Sequence, residues 1–165
     1  MVKVYGESRL SINPDEIKAL DAYTGVVLQA EPAITSDTEQ DYGYFRNKSV
    51  VIDEILPTKI TDKVVVHYGG DEDLTCSLPP ESKVLVTNFK KLIIKEAKDL
   101  KIGDNLVDAS YYDIYHKKDV DLQLYPIFVQ QVEYIEGEFD GYDIYLDTLY
   151  EWRGIYVDNV FVSNE

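Results

Sequence analysis

Thiols are almost missing from this chain: Cys76 is the only cysteine among 165 residues. A lone thiol excludes an internal disulfide and any zinc site built from several thiolates. It also suits a reducing compartment. Histidine is nearly as scarce, with only His67 and His116, each in a Tyr-rich strand pattern. Neither has a local Ser–His or Cys–His partner, so a hydrolytic triad has no support. Both are expected to be surface or packing residues of strands. No long apolar run occurs, which leaves no candidate membrane helix. The opening Met1-Val2-Lys3-Val4-Tyr5 lacks the apolar stretch of a signal peptide. A soluble, intracellular (cytoplasmic) protein without cofactor is therefore expected.

Positive charge is also short. Sixteen Lys and Arg face 31 Asp and Glu, a formal net charge of −15. Such a field repels phosphate backbones and anionic lipid, so nucleic acid and membrane surfaces are excluded as partners. The charge is uneven: from Asp119 to Glu165 there are eleven acidic residues and one basic residue, Arg153. Solubility accounts for this. A basic protein partner or a divalent cation are the alternatives.

What is abundant is β-forming sequence. Apolar residues make up 45% of the chain, too many for a disordered one, and its length suits a single domain. Apolar and polar residues alternate in short segments: 2–12, 49–56, 63–68, 83–87, 91–95, 112–115, 126–135 and 143–146. Period two with Val, Ile and Tyr predicts strands. Turns are expected at Tyr68-Gly69-Gly70-Asp71, Pro79-Pro80, 101–104 and 137–141. Only 14–22 reads as a helix, capped by Asn13 with Pro14 at its first position. A second helical turn is expected over 95–100. The polar stretch 33–47 reads as a loop or insertion. The expected fold is all-β: a compact arrangement of many short strands with one or two short helices.

Three blocks, in order, carry a resemblance. Val4-Tyr5-Gly6-Glu7-Ser8-Arg9-Leu10 opens the chain. In the middle stand Leu78-Pro79-Pro80-Glu81-Ser82-Lys83-Val84-Leu85-Val86 and Ala97-Lys98-Asp99-Leu100-Lys101-Ile102-Gly103-Asp104. The end has Tyr142-Asp143-Ile144 and Val160-Phe161-Val162-Ser163-Asn164-Glu165. Together they resemble the Hedgehog/intein (Hint) family of self-splicing domains, in a degenerate form and of the kind found as insertions in phage proteins.

The resemblance implies where splicing groups would stand, and most are gone. The family's first nucleophile, a Cys or Ser, falls on Lys3. An amine that is mostly protonated at neutral pH cannot form the ester or thioester that starts splicing. The Thr and His that polarise the first peptide bond fall on Pro79 and Ser82. A proline side chain has no hydrogen-bonding group, and serine is a poor acid or base. The penultimate His falls on Ser163, and the acyl acceptor after the terminal Asn falls on Glu165. Asn164 alone matches. The implied function is an inactive pseudo-intein: a non-splicing structural module inserted in a host protein in cis, monomeric, with its two ends close together. A competing reading is an acidic protein-binding module that mimics DNA and inhibits a basic partner. A third is residual cleavage at Asn164, for which Ser163 and Glu165 are ill suited.

One metal pattern remains. From Glu136 to Asp147, oxygen residues stand at positions 1, 3 and 5 (Glu136, Glu138, Asp140), glycine at 6, and Asp147 at 12, the skeleton of a calcium loop. Glutamates at 1 and 3 and strand-like flanks favour an acidic hairpin instead.

Overall fold

Near both ends of 48–68 apolar residues recur at alternate positions, and Val50, Ile52, Ile60, Val64, Val66 and Tyr68 are buried. That alternation sends one row of side chains into the core and the other to solvent. The computed structural model describes residues 1–12, 15–32, 40–41, 44–46, 48–87, 91–107, 121–123, 126–147 and 153–164. Its strands are β1 (Val2–Tyr5), β2 (Arg9–Ser11), β3 (Glu16–Lys18), β4 (Val27–Pro32), β5 (Gln40–Asp41), β6 (Tyr44–Arg46), β7 (Lys48–Tyr68) and β8 (Leu74–Leu78). Then come β9 (Lys83–Thr87), β10 (Lys91–Glu96), β11 (Asn105–Val107), β12 (Asp121–Gln123), β13 (Pro126–Phe128), β14 (Gln131–Asp147), β15 (Arg153–Val157) and β16 (Val160–Ser163). All described pairings are antiparallel, and one large sheet runs β1-β14-β7-β4-β15-β16-β9-β10-β5, with β12 and β6 paired separately.

Its spine is the β7–β14 pair. A bulge interrupts the register between Ile135 and Glu138. There Asp62 adopts a left-handed backbone, φ 67°, one of the few side chains that tolerate it. Its carboxylate accepts from Gly137 N at 3.1 Å and Tyr134 Oη at 2.8 Å, and its carbonyl accepts from Tyr5 Oη at 2.7 Å. Bulges bend strands and add twist, and this one turns the spine beside β1. The expected turn over 137–141 is absent: β14 continues through it as strand, bent at the bulge. Gly141 serves close approach instead, since a Cβ there would lie 2.6 Å from the Val4 carbonyl oxygen and against Ile60.

The helix expected over 14–22 is also corrected. Asn13 and Pro14 lie outside the described residues. Beyond them β3 pairs with β2, Ile17 opposite Leu10, and a single 3-10 turn follows at Ala19–Asp21. Isolated helices this short are marginal, whereas β2 offers a ready ladder edge. The turn over 95–100 narrows to one 3-10 turn at Ala97–Asp99 after β10. Within 33–47, residues 40–41 and 44–46 are strand and the remainder lies outside the described residues. The segment 112–115 and His116 lie outside them too.

The β15–β16 hairpin turns on Asp158 and Asn159, with φ 48° and 69°. Positive φ at both central residues matches the twist of paired strands. Asp158 is tied in on several sides. Its carboxylate accepts from Arg9 N at 2.9 Å and Ser77 N at 3.2 Å, and its carbonyl from Tyr68 Oη at 2.7 Å. Burial raises its pKa above the ordinary carboxylate value, against those two N–H donors.

His67, on β7, bridges two acids, Nδ1 to Asp73 at 3.0 Å and Nε2 to Glu133 at 3.1 Å. Both roles suit the imidazolium, which donates from each nitrogen. The hydrogen bond to Asp73 and the charge of Glu133 raise its pKa above 6.5. A raised histidine pKa stabilises the fold fully below 6.5, and the contribution is lost as pH rises through the folded value. A histidine-selective NMR titration is expected to place His67 above 6.5, and Asp73→Asn to bring it down.

Candidate functional site

The outer ends of β1 and β16, though not paired in the sheet, come together at one cleft. The Met1 amino nitrogen donates to Asn164 Oδ1 at 2.9 Å. β1 hydrogen-bonds to β14 in the register Val2–Ile144, Lys3–Asp143. β16 meets β9 through Val162 and Val84. Apolar burial fixes this meeting: Val2, Val4, Val84, Ile144, Val160 and Val162 belong to one buried cluster. Each such side chain is worth about 1.5–3 kcal/mol on burial.

A cleft of about 300 Å3 opens where these strands converge. Its walls include Lys3 from β1, Pro79, Glu81 and Ser82 from the turn between β8 and β9, and Ser163 from β16. Four of the five positions singled out in sequence, Lys3, Pro79, Ser82 and Ser163, thus share one cleft. The fifth, Asn164, adjoins it through Met1. The turn at Pro79–Ser82 is held by Ser82 N donating to Pro79 O at 3.0 Å, and by Ala97 N donating to Ser82 O at 2.8 Å. The proline contributes its carbonyl and no side-chain donor.

Lys3 does not point a reactive group at a carbonyl. Its Nζ pairs with Asp143 Oδ1 at 2.7 Å, directly across the β1–β14 ladder. An amine held in this ion pair is neither the thiol nor the hydroxyl that forms an ester or thioester. The thiol of Cys76 is no substitute. It is fully buried on β8, 3.4 Å from the Val157 carbonyl oxygen, and burial raises its pKa well above the ordinary value. The thiolate is the reactive form, so this sulfur is a packing group.

Sequence reasoning missed Asp143 as a partner of Lys3. The available signal was the strand pattern of both segments, but register across 140 residues cannot be read from one sequence.

Glu136, Glu138, Asp140 and Asp147 are strung along extended β14, where Asp140 pairs with Lys59 and Asp147 lies opposite Val51. An extended strand does not wrap an ion as the calcium-loop skeleton requires. Among the described residues, no three His, Cys, Asp or Glu side chains gather at metal-binding range. Nor is any described helix long and apolar enough to cross a membrane.

No family model matches the sequence, and no curated protein matches it. Solved structures do. A bacterial intein-like domain from Clostridium thermocellum superposes with a TM-score of 0.67 at 12% identity, covering 100% of this chain and 99% of that one. The TvoVMA intein gives 0.62 at 17% identity, covering 99% and 97%. A DnaB intein from Synechocystis gives 0.63 at 11% identity, covering 99% and 98%. Nearly complete coverage in both directions means that the whole architecture is shared, not one motif. The chain is a domain of the Hint, or Hedgehog/intein, fold.

Proposed function

We propose that this chain is an intein-like module that has lost splicing and persists as a structural insert in a host protein. The observation that carries the reading is the cleft between the chain ends. The resemblance puts the splicing groups at Lys3, Pro79, Ser82 and Ser163, and these four positions meet there. What they offer is an ion-paired amine, a proline and two hydroxyls. No thiol or hydroxyl occupies the first position, and no imidazole occupies the positions that assist acyl transfer. Asn164 keeps its amide, yet the neighbouring Ser163 does not supply the acid or base that cyclisation uses.

Adjacent ends are what an inserted domain needs, because the host chain enters and leaves at one point. The test is the intact mass of this domain fused between two inert reporter proteins, followed over days at neutral pH. The expected result is one undivided polypeptide. Ligated reporters, or release of the downstream reporter at Asn164, would overturn the reading.

A further inference from the structure

A second cavity, of about 520 Å3, opens at the C-terminal end of β1, away from the chain ends. One wall is strand β8, which among the described residues pairs with β7 alone. The direction of its backbone groups follows from two hydrogen bonds. Ser77 N donates to the Asp158 carboxylate at 3.2 Å, so Ser77 faces away from β7. His67 O accepts from Gln130 N at 2.9 Å, so His67, which lies opposite Thr75, faces away from β8. Residues two apart on a strand present their N–H and C=O to the same side. The Thr75 N–H, the Thr75 C=O and the Ser77 C=O therefore all face the cavity, and both residues line it. With the Ser77 N–H taken by Asp158, these three groups form a short ladder edge that no described strand occupies, and such an edge is a template for a further strand.

The rest of the lining selects the charge of an occupant. Glu7, Glu16, Asp73 and Asp158 line the cavity with Arg9 and Lys63. Glu7 is paired with Lys18 at 3.0 Å and Asp73 with His67, which leaves Glu16 and Asp158 as the acids for an occupant. Lys63 is already committed, its Nζ lying 4.6 Å from the Tyr5 ring centroid and 4.3 Å from that of Phe139. Ser8, which also lines the cavity, is 3% exposed, and its hydroxyl has no hydrogen-bond partner. A buried hydroxyl without a partner is uncommon in native structures. A second copy of this chain is a poor occupant, because each copy carries a net charge of −15.

From this geometry we infer that the cavity is a docking groove for an extended, cationic peptide segment of another protein. The segment adds to the free edge of β8 through the backbone of Thr75 and Ser77. Its alternate Lys or Arg side chains lie toward Glu16 and Asp158. This goes beyond the scaffold reading, and its failure would leave that reading untouched.

The test is titration of 15N-labelled protein with the acetylated, amidated pentapeptide Val-Lys-Val-Lys-Val, beside the same peptide with Glu for Lys. Saturable shifts are expected at the Thr75, Ser77 and Asn159 amides with the Lys peptide only, weakening as salt is added. Thr75→Pro removes the outward N–H while leaving the bonds to β7, a position where proline is tolerated in an edge strand. It is expected to weaken binding about tenfold, the scale of one or two hydrogen bonds. Should that variant disturb the spectrum beyond β8, Glu16→Gln serves in its place and must weaken binding at low salt. Absence of saturable shifts at millimolar Lys peptide would overturn the inference. So would equal binding of the Glu peptide, or unchanged affinity in the variant used.

Discussion

Gly154→Ala is expected to destabilise the domain by about 3–5 kcal/mol, at the large end of single substitutions. Gly154 sits mid-sheet, opposite Glu31 of β4 on one side and Ser163 of β16 on the other. A Cβ there would lie 2.7 Å from the edge of the Phe161 ring and closer still to the Val162 carbonyl oxygen. The ring has nowhere to retreat, because Phe161 is itself fully buried. The carbonyl belongs to a paired strand, so relief means moving backbone. In a domain of this size the loss corresponds to a fall in melting temperature on the order of 10 °C. Urea and thermal unfolding of the two proteins measure it. A loss below about 1 kcal/mol would mean that β15 and β16 are further apart than described here.

Phe161→Ala is expected to cost about 3–5 kcal/mol through the cavity it leaves. The ring meets Tyr156 edge to face, centroids 5.2 Å apart at 80°, a contact worth roughly 0.5–1.5 kcal/mol beyond burial. The two substitutions are coupled. Deleting the ring removes one obstacle to the Cβ at position 154 but leaves the Val162 carbonyl. The double variant is therefore expected to lose less stability than the two single losses added together, and denaturant unfolding of all four proteins gives the difference.

Strand content was legible because it is written locally. The alternation over 83–87 gave β9 with no error, and the Gly103-Asp104 step is a turn, closed by Asp104 N donating to Lys101 O at 3.1 Å. The helix expected over 14–22 failed because its cues, a cap and a proline, are equally compatible with a turn entering a strand. What decided the matter was the edge of β2, which sequence does not reveal. The separate segments 49–56 and 63–68 proved to be one strand. Asp62 bends the chain there without ending the ladder, and its left-handed backbone leaves no mark in the hydrophobic pattern. The cleft between the chain ends was legible only through the block resemblance, since no local periodicity places Lys3 beside Ser163. The cavity beside β8 was not legible at all. It depends on which side of a strand is left unpaired, and so on the whole topology.

The strand pairings also set an order of events during synthesis. β1 finds its only described partner in β14, and β2 meets β15 through Leu10 and Val157. A ribosome adding roughly 5–20 residues per second needs on the order of ten seconds to travel from the first of these strands to the last. Until then β1 has no ladder to join and its Val2 and Val4 side chains stay in water, while β2 has only the short β3 beside it. Any protein carrying this module between its halves must tolerate a long, sticky excursion in mid-translation, which ends at once when the final hairpin emerges and draws both halves to one place.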